Sequence, residues 1–178
     1  AWIVEASLMQ RELWETARRQ GNVTLFCPGV PQGLTFGDEA ATLALADGRE
    51  LKSKLVVAAD GADSWTRTAA GIAVNFKPYD QHGVVANFAI EKPHRQVACQ
   101  WFRHDGVLAY LPLPGNLMSI VWSTPAAHAA ELLALSPAAF CDRVADAGER
   151  RFGALSLVTP PAAFPLRLMR APRMVAPR

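Results

Sequence analysis

The sequence predicts a mixed fold, in which an α/β layer is followed by an α+β layer with an antiparallel sheet. The first observation is the uninterrupted apolar run Leu55–Ala59, which is typical of a strand buried on both faces inside a parallel sheet. The second is a series of short alternating segments after Pro78, separated by turns, which is typical of an antiparallel meander. We therefore expect the type of sheet to change near residue 75.

The composition is that of an ordinary globular protein, with 178 residues, 51% of them hydrophobic and 19% charged. A net charge of only +2 gives no support for a nucleic-acid partner. The four histidines and three cysteines are scattered without metal-ligand spacing, so we expect no metal site and reduced thiols. No apolar stretch reaches the roughly 18 to 20 residues that span a bilayer. These features favour a cytoplasmic location.

Local signals predict the elements of the first part of the chain. Apolar residues at helical spacing are followed by two arginines and Gly21, and Asp47-Gly48 is a typical hairpin corner. The predicted elements are a helix over 5–20, a strand over Val23–Cys27, a hairpin around Asp47-Gly48, the buried strand Leu55–Ala59, and a short helix that begins near Ser64 and ends before Gly71.

The second part predicts four antiparallel strands, two helices and a final extended segment. Capping residues followed by proline, at Thr124-Pro125 and Ser136-Pro137, mark the starts of the two helices. The predicted strands and extended segment are Val84–Glu91, Val97–Trp101, Val107–Leu113, Leu117–Ser123 and Phe164–Leu168.

The turn at Asp60-Gly61 is the main candidate site. A buried strand, an acidic residue with glycine, and the opening of a helix form a common site for cofactor phosphates in α/β sheets. Arg67, on the first turn of that helix, is placed to contact a phosphate or a nearby carboxylate. Two simpler interpretations stay open, an ordinary strand-to-helix turn and an ion pair of Arg67 with Asp60 or Asp63.

Several stretches, taken in order, resemble the flavin-dependent aromatic hydroxylases of the para-hydroxybenzoate hydroxylase fold. Among these, the sequence is most similar to the ubiquinone-biosynthesis hydroxylases. The matching stretches are Asp47–Leu51, Leu55–Arg67, Tyr79–Gln81, Trp101–Leu113, Ser119–Ser123 and Phe164–Leu166.

The resemblance implies a domain organisation and the cofactor FAD. It makes residues 1–75 part of a Rossmann-like FAD-binding layer, 76–170 a substrate-binding domain, and 171–178 the start of a strand that returns to the FAD-binding layer. Of the three cofactor motifs of the family, the sequence contains the one carried by Asp60-Gly61. The glycine-rich turn is absent, and so is the later Gly-Asp motif. We therefore expect the central part of a longer hydroxylase, which does not retain FAD by itself.

The resemblance also implies the site residues. On the first helix, Ala6 offers no polar group to the cofactor, which leaves Arg11 as the candidate there. The aromatic residues of the meander have a competing interpretation as ordinary core. No side chain is an obvious catalytic acid or base. The implied cofactor-binding residues are Asp60, Gly61, Arg67 and Arg11, and the implied substrate-binding residues are Trp101, Tyr110, Leu111 and Trp122.

The function implied is hydroxylation of an aromatic ring, a phenolic and prenylated ubiquinone precursor, with FAD, O2 and NAD(P)H. Two alternatives stay open. One is another flavoprotein of this fold, a different phenol hydroxylase or a flavin reductase, and the other is a non-catalytic binding module. Six arginines among the last thirty residues fit either a solvated surface or peripheral contact with the inner membrane. Other ubiquinone-biosynthesis proteins are the macromolecular partners that the resemblance suggests.

Overall fold

The computed structural model describes residues 3–176, which contain four helices and nine strands. The helices are α1 Ala6–Arg19, α2 Trp65–Ala69, α3 Ala126–Ala134 and α4 Pro137–Ala147. The strands are β1 Pro31–Phe36, β2 Ala41–Leu45, β3 Glu50–Ser53, β4 Asn75–Ile90, β5 Cys99–Arg103, β6 Gly106–Leu113, β7 Leu117–Pro125, β8 Leu155–Leu157 and β9 Ala162–Arg170.

The chain divides into two compact units. We call them the sheet–helix unit, Ala1–Leu13 with Pro78–Arg167, and the groove unit, Trp14–Lys77 with Leu168–Arg178. Helix α1 is shared between the two units and has no buried residue. No described helix is long and apolar enough to cross a membrane.

The sheet–helix unit is built on a six-stranded antiparallel sheet. Its strand order is β5-β6-β7-β4-β8, and β9 also pairs with β4. The prediction of antiparallel strands is confirmed, but β4 pairs with β7 and not with β5. The hairpin β5–β6 has a two-residue loop at His104-Asp105, which forces those strands together. The longer connection 91–98 lets β4 lie on the other side of β7.

Alternation along the strands sorts the residues of this sheet between two faces. One face packs against α3 and α4 and forms the core, in which the Phe88 and Phe140 rings stack 5.8 Å apart. The opposite face, which we call the outer face, is half-buried to exposed. Its half-buried and exposed members include Val85, Asn87, Ala89, Gln100, Phe102, Val107, Ala109, Leu111, Leu117, Ser119, Val121 and Ser123.

Helix α4 begins as the sequence predicts. The Ser136 hydroxyl accepts a hydrogen bond from the Ala139 N–H, and proline occupies the first turn. Phe140, Val144 and Ala147 are all buried on the face toward the sheet. In α3 the outcome differs, because Thr124 does not cap the helix and its hydroxyl contacts Nδ1 of His128 at 2.8 Å.

The groove unit contains the three-stranded antiparallel sheet β1-β2-β3. The predicted hairpin with its corner at Asp47-Gly48 is confirmed as β2–β3. The predicted strand Val23–Cys27 was wrong, since the strand of this region is β1. Its proline and glycine conceal it in the sequence, yet Pro31 is its first residue and Gly33 lies at an irregularity of the β1–β2 register.

The expectation of a buried strand at Leu55–Ala59 was also wrong for this chain. The segment carries no strand hydrogen bonding, and Leu55 and Val57 are 72% and 78% exposed. A strand forms only by pairing, and no strand in residues 3–176 lies beside this segment. The expected return strand at 171–178 likewise forms no strand over 171–176, and Pro177 and Arg178 lie outside the described residues.

Tyr110 ties the sheet to α4. Its hydroxyl donates to the backbone carbonyl of Val144 at 2.6 Å, and the side chain is 1% exposed. Burial raises the pKa of this phenol well above its usual value, so it stays protonated and a hydrogen-bond donor throughout the physiological range.

We predict that Tyr110→Phe lowers the free energy of unfolding by about 1–2 kcal/mol, because a buried carbonyl loses its donor. Urea unfolding monitored by far-UV circular dichroism measures this. Tyr79→Phe is the matched control, since Tyr79 is 52% exposed and its change is expected to stay below about 0.5 kcal/mol. Equal losses for the two variants would contradict the role given to Tyr110.

Candidate functional site

A groove of about 600 Å³ surrounds the Asp60-Gly61 turn. All of its walls belong to the groove unit, and its volume lies in the range of ordinary ligand sites. The lining residues are Leu34, Phe36, Leu55–Ala58, Asp60, Gly61, Ser64, Thr66, Arg67, Ala70, Ile72, Met169, Ala171 and Arg173–Ala176.

The Asp60 carboxylate fixes the turn and the start of α2. One oxygen accepts a hydrogen bond from the Ser64 hydroxyl, and the other accepts from the Thr66 N–H at 3.0 Å. Ser64 is buried, and its hydroxyl in turn accepts from the Arg67 N–H at 2.9 Å as the cap of α2. The Ser64 hydroxyl, followed by the Thr66 N–H, lowers the pKa of Asp60 to about 2. Asp60 is therefore a carboxylate throughout the physiological range.

Gly61 leaves the main chain exposed in the groove wall. Its φ is +91°, a backbone conformation that residues with a Cβ rarely adopt. A Cβ built at this position meets no protein atom within 4 Å, so packing does not explain the glycine. The backbone at Gly61 instead forms a bare stretch of the groove wall that a ligand can approach closely.

Arg67 lies on the wall next to this turn. Its Nη1 donates to the backbone carbonyl of Ala62 at 2.7 Å and lies 3.9 Å from the Met169 sulfur. The guanidinium therefore helps to hold the loop and also lines the groove. Because Arg67 has five N–H donors, these contacts leave others for a ligand.

The groove is lined by both apolar and charged residues. Leu34, Phe36 and Ile72 supply apolar surface, whereas Arg67 and Arg173 bring two guanidinium groups. Such a site suits a ligand with a planar apolar part and a phosphate or another anionic group. These residues fit one part of a flavin dinucleotide, with the bare backbone at Gly61 admitting its close approach.

The structure brings together three of the four predicted cofactor-binding residues, namely Asp60, Gly61 and Arg67. Arg11 is not among the lining residues of the groove. It is exposed on α1, and its guanidinium forms an ion pair with the neighbouring Glu12 at 3.0 Å. We therefore leave Arg11 out of the candidate site.

The predicted substrate-binding residues lie on opposite faces of the sheet. Tyr110 and Trp122 are 1% and 0% exposed, with their side chains packed under the helices. Trp101 packs edge-on against Tyr110 on that same face, with ring centroids 4.7 Å apart. The interpretation as core, which the sequence left open, therefore fits these three residues. Leu111 lies on the outer face and is half-buried.

Sequence reasoning missed two parts of the groove wall. The first is β1, with Leu34 and Phe36, where Gln32-Gly33 interrupts the apolar pattern. The second is Met169 with the segment Arg173–Ala176, which the sequence indicated only as the approach to a return strand. No local pattern could predict either part, because these residues are far from the Asp60-Gly61 turn in sequence and approach it only in the folded chain.

Solved structures show which known fold this chain has. The flavin-dependent halogenase CmlS superposes on 98% of the chain with a TM-score of 0.75 and 16% identity, over 34% of its own length. The flavin-dependent monooxygenase PieE, solved in complex with FAD and substrate, covers 98% with a TM-score of 0.72 and 17% identity, over 32% of its length. The fold is that of the FAD-dependent monooxygenases and halogenases.

Sequence comparison finds relatives with higher identity than these solved structures. The chain is 34% identical to 3-demethoxyubiquinol 3-hydroxylase of Escherichia coli over 99% of the chain and 45% of the relative. It is 33% identical to ubiquinone hydroxylase UbiL of Rhodospirillum rubrum over 85% of the chain and 34% of the relative. It is also 43% identical to mitochondrial ubiquinone biosynthesis monooxygenase COQ6 of Rattus norvegicus over 66% of the chain and 25% of the relative.

The chain is a homologue of the ubiquinone-biosynthesis hydroxylases, as the sequence indicated. It spans less than half the length of these relatives. No family model matches the sequence.

We predict that Asp60→Asn removes part of the acid sensitivity of the groove unit. A carboxylate with a lowered pKa stabilises the fold above its ordinary value of 3.8, and this contribution is lost as the pH falls toward about 2. Asparagine at this position does not titrate and cannot accept both hydrogen bonds. Amide exchange of Thr66 and Arg67 is therefore expected to be faster in the variant at pH 6, and the difference from the unmutated protein is expected to shrink between pH 4 and pH 2.

Asp142→Asn is the matched control for this titration. Asp142 is 72% exposed on α4 and faces Arg150 at 3.5 Å, a surface pair of little energetic value. Exchange at Thr66 that is unchanged in Asp60→Asn would contradict the role of the carboxylate in the turn.

Proposed function

We propose that this chain is part of an FAD-dependent hydroxylase of aromatic rings and that the groove at Asp60-Gly61 holds part of the flavin cofactor. The observation that carries the proposal is the bare, positive-φ backbone of Gly61 in a groove of suitable volume, flanked by Arg67 and by apolar walls. Homology to enzymes named as ubiquinone hydroxylases and monooxygenases supports the same function.

Each residue of the groove has a separate role in this proposal. Asp60 acts as a positioning residue, because both of its oxygens are committed to the turn and to the start of α2. Gly61 gives the cofactor access to the backbone, and Arg67 and Arg173 offer positive charge to its phosphates. FAD, when bound, supplies the oxygen-transfer chemistry, with NAD(P)H as reductant and O2 as the oxygen source.

The substrate in this proposal is a small aromatic ring, a phenolic and prenylated ubiquinone precursor. The names of the relatives support a ring of this kind. The outer face of the sheet supports it as well, because Phe102, Val121 and Leu111 present apolar surface there without a covering helix. We therefore propose the part of the outer face on β4, β6 and β7, including Leu111, as a wall of the substrate site.

Peripheral membrane contact and association with other ubiquinone-biosynthesis proteins remain predictions. Two of the arginines considered for a membrane surface have local partners. Arg150 pairs with Asp146 at 2.7 Å, and the Arg151 guanidinium lies over the Phe152 ring. These contacts favour a solvated surface over membrane contact for Arg150 and Arg151.

We predict that the 178-residue chain does not retain FAD through gel filtration. The groove is open on the side of Leu55 and Val57, and Met174 of its wall is 88% exposed, so the walls bury too little of a dinucleotide. The measurement is the flavin absorbance of the eluted protein peak after incubation with FAD. A stoichiometric yellow peak would contradict the prediction.

We predict that Gly61→Ala, made in the full reading frame, lowers flavin occupancy by about tenfold or more. The added Cβ projects from the bare wall of the groove, where the proposal places the cofactor. Gly48→Ala is a close control, because Gly48 also has a positive φ of +87° and open space around its Cβ position but lies at a hairpin corner. The two variants therefore share the same backbone strain.

Flavin content and phenol-stimulated oxidation of NAD(P)H measure this effect. Equal flavin content in the two alanine variants would remove Gly61 from the cofactor site. A full-length protein with bound flavin whose NAD(P)H oxidation no phenol stimulates would contradict the hydroxylase itself and favour a flavin reductase.

A further inference from the structure

The outer face carries no ionisable side chain on β5, on β6, on β7 and on the part of β4 from Gly83 onward. The polar groups among its apolar side chains are the amides of Asn87 and Gln100 and the hydroxyls of Ser119 and Ser123. A ring that bears a carboxylate would therefore lose its hydration against this face without gaining a cationic partner.

One polar pair lies in the middle of this face. Asn87 of β4 and Ser119 of β7 are directly opposite each other in the antiparallel register, and Leu111 of β6 continues the same row. Residues in such a pair have Cβ atoms about 4.5–5.5 Å apart. Both side chains are half-buried, so each is partly removed from water and yet accessible from one side.

The side-chain donors and acceptors of this pair make no hydrogen bond within residues 3–176. Within residues 3–176, neither the Asn87 side-chain amide nor the Ser119 hydroxyl has a hydrogen-bond partner. Ser123, on the same strand, differs in this respect, because its hydroxyl accepts from the Val107 N–H at 3.2 Å. The Asn87–Ser119 pair therefore presents a free amide N–H, a free carbonyl and a hydroxyl side by side.

We propose that Asn87 and Ser119 bind the oxygen substituent of an uncharged aromatic ring and so select neutral phenols over ring carboxylates. This inference rests on the proposed function and assigns the specificity of the same substrate wall. The amide and the hydroxyl can each donate to and accept from a phenol oxygen or a neighbouring ether oxygen. Leu111, Ala109 and Val85 supply the apolar surface on which the ring lies.

The test compares two rings that differ only by a carboxylate, 2-prenylphenol and 3-prenyl-4-hydroxybenzoate, as substrates of the full-length flavoprotein. Asn87→Leu and Ser119→Ala are each expected to raise the KM for 2-prenylphenol about 3- to 10-fold, the range of one lost hydrogen bond. The hydroxylated product formed per NAD(P)H consumed is expected to fall as well, because the ring loses its orientation. A purely structural role would not change this ratio in protein with full flavin content.

Gln100→Leu is the matched control, since Gln100 is an exposed amide on the same face but on the edge strand β5.

Asn87→Arg places a cation beside Ser119 and is expected to shift the substrate preference toward 3-prenyl-4-hydroxybenzoate by about tenfold. Flavin content and far-UV circular dichroism show that each variant is folded.

Two outcomes would overturn the proposal in distinguishable ways. If the unmutated protein hydroxylates 2-prenylphenol while Asn87→Leu and Ser119→Ala match Gln100→Leu in KM and in product ratio, the pair has no role in recognition, although the proposed function stands. If the unmutated flavoprotein neither binds nor hydroxylates either ring, the proposed function and this inference fail together.

Discussion

The double hydrogen bonding of the Asp60 carboxylate is the constraint on which the candidate site depends. The Ser64 hydroxyl and the Thr66 N–H hold its two oxygens, so the turn and the first residues of α2 form one rigid piece. Gly61 lies inside that piece, and its exposed backbone is held in place without a side chain of its own. Arg67 joins the same piece through the Ser64 hydroxyl and the Ala62 carbonyl. Asp60 thus lines the groove and also fixes the turn that forms part of its wall.

Alternation along the strands of the six-stranded sheet separates the core side chains from those of the outer face. One set of side chains on β4, β6 and β7 meets the helices and forms the core around Phe140 and Val144. The other set lies on the outer face, which no described helix covers. A shift of one residue in the register would exchange the two sets, so the core also fixes which groups a ring would meet. The strand pairing that builds the core of this unit therefore also sets which side chains lie on the outer face.

Local signals predicted the parts of this chain whose causes are local. The Asp47-Gly48 corner and the Ser64 and Ser136 caps act within a few residues of themselves, so their hairpin and helices were predictable from the sequence. The misassigned parts depend on distant partners. Leu55–Ala59 has the composition of a strand, but pairing partners decide whether it becomes one. Tyr110 and Leu111 on β6 and Trp122 on β7 are all apolar positions of the meander, and only the position of α3 and α4 decides which of them is covered.

The exposed run at Leu55–Ala59 also has a consequence for the solution behaviour of the isolated chain. Extended apolar backbone with unpaired amides is a template for intermolecular β-pairing, and this run contains neither a charge nor a proline to prevent it. Self-association through this segment would bury Leu55 and Val57 in the interface between molecules. A charge within this run, as in Val57→Lys, is therefore expected to reduce self-association of the chain.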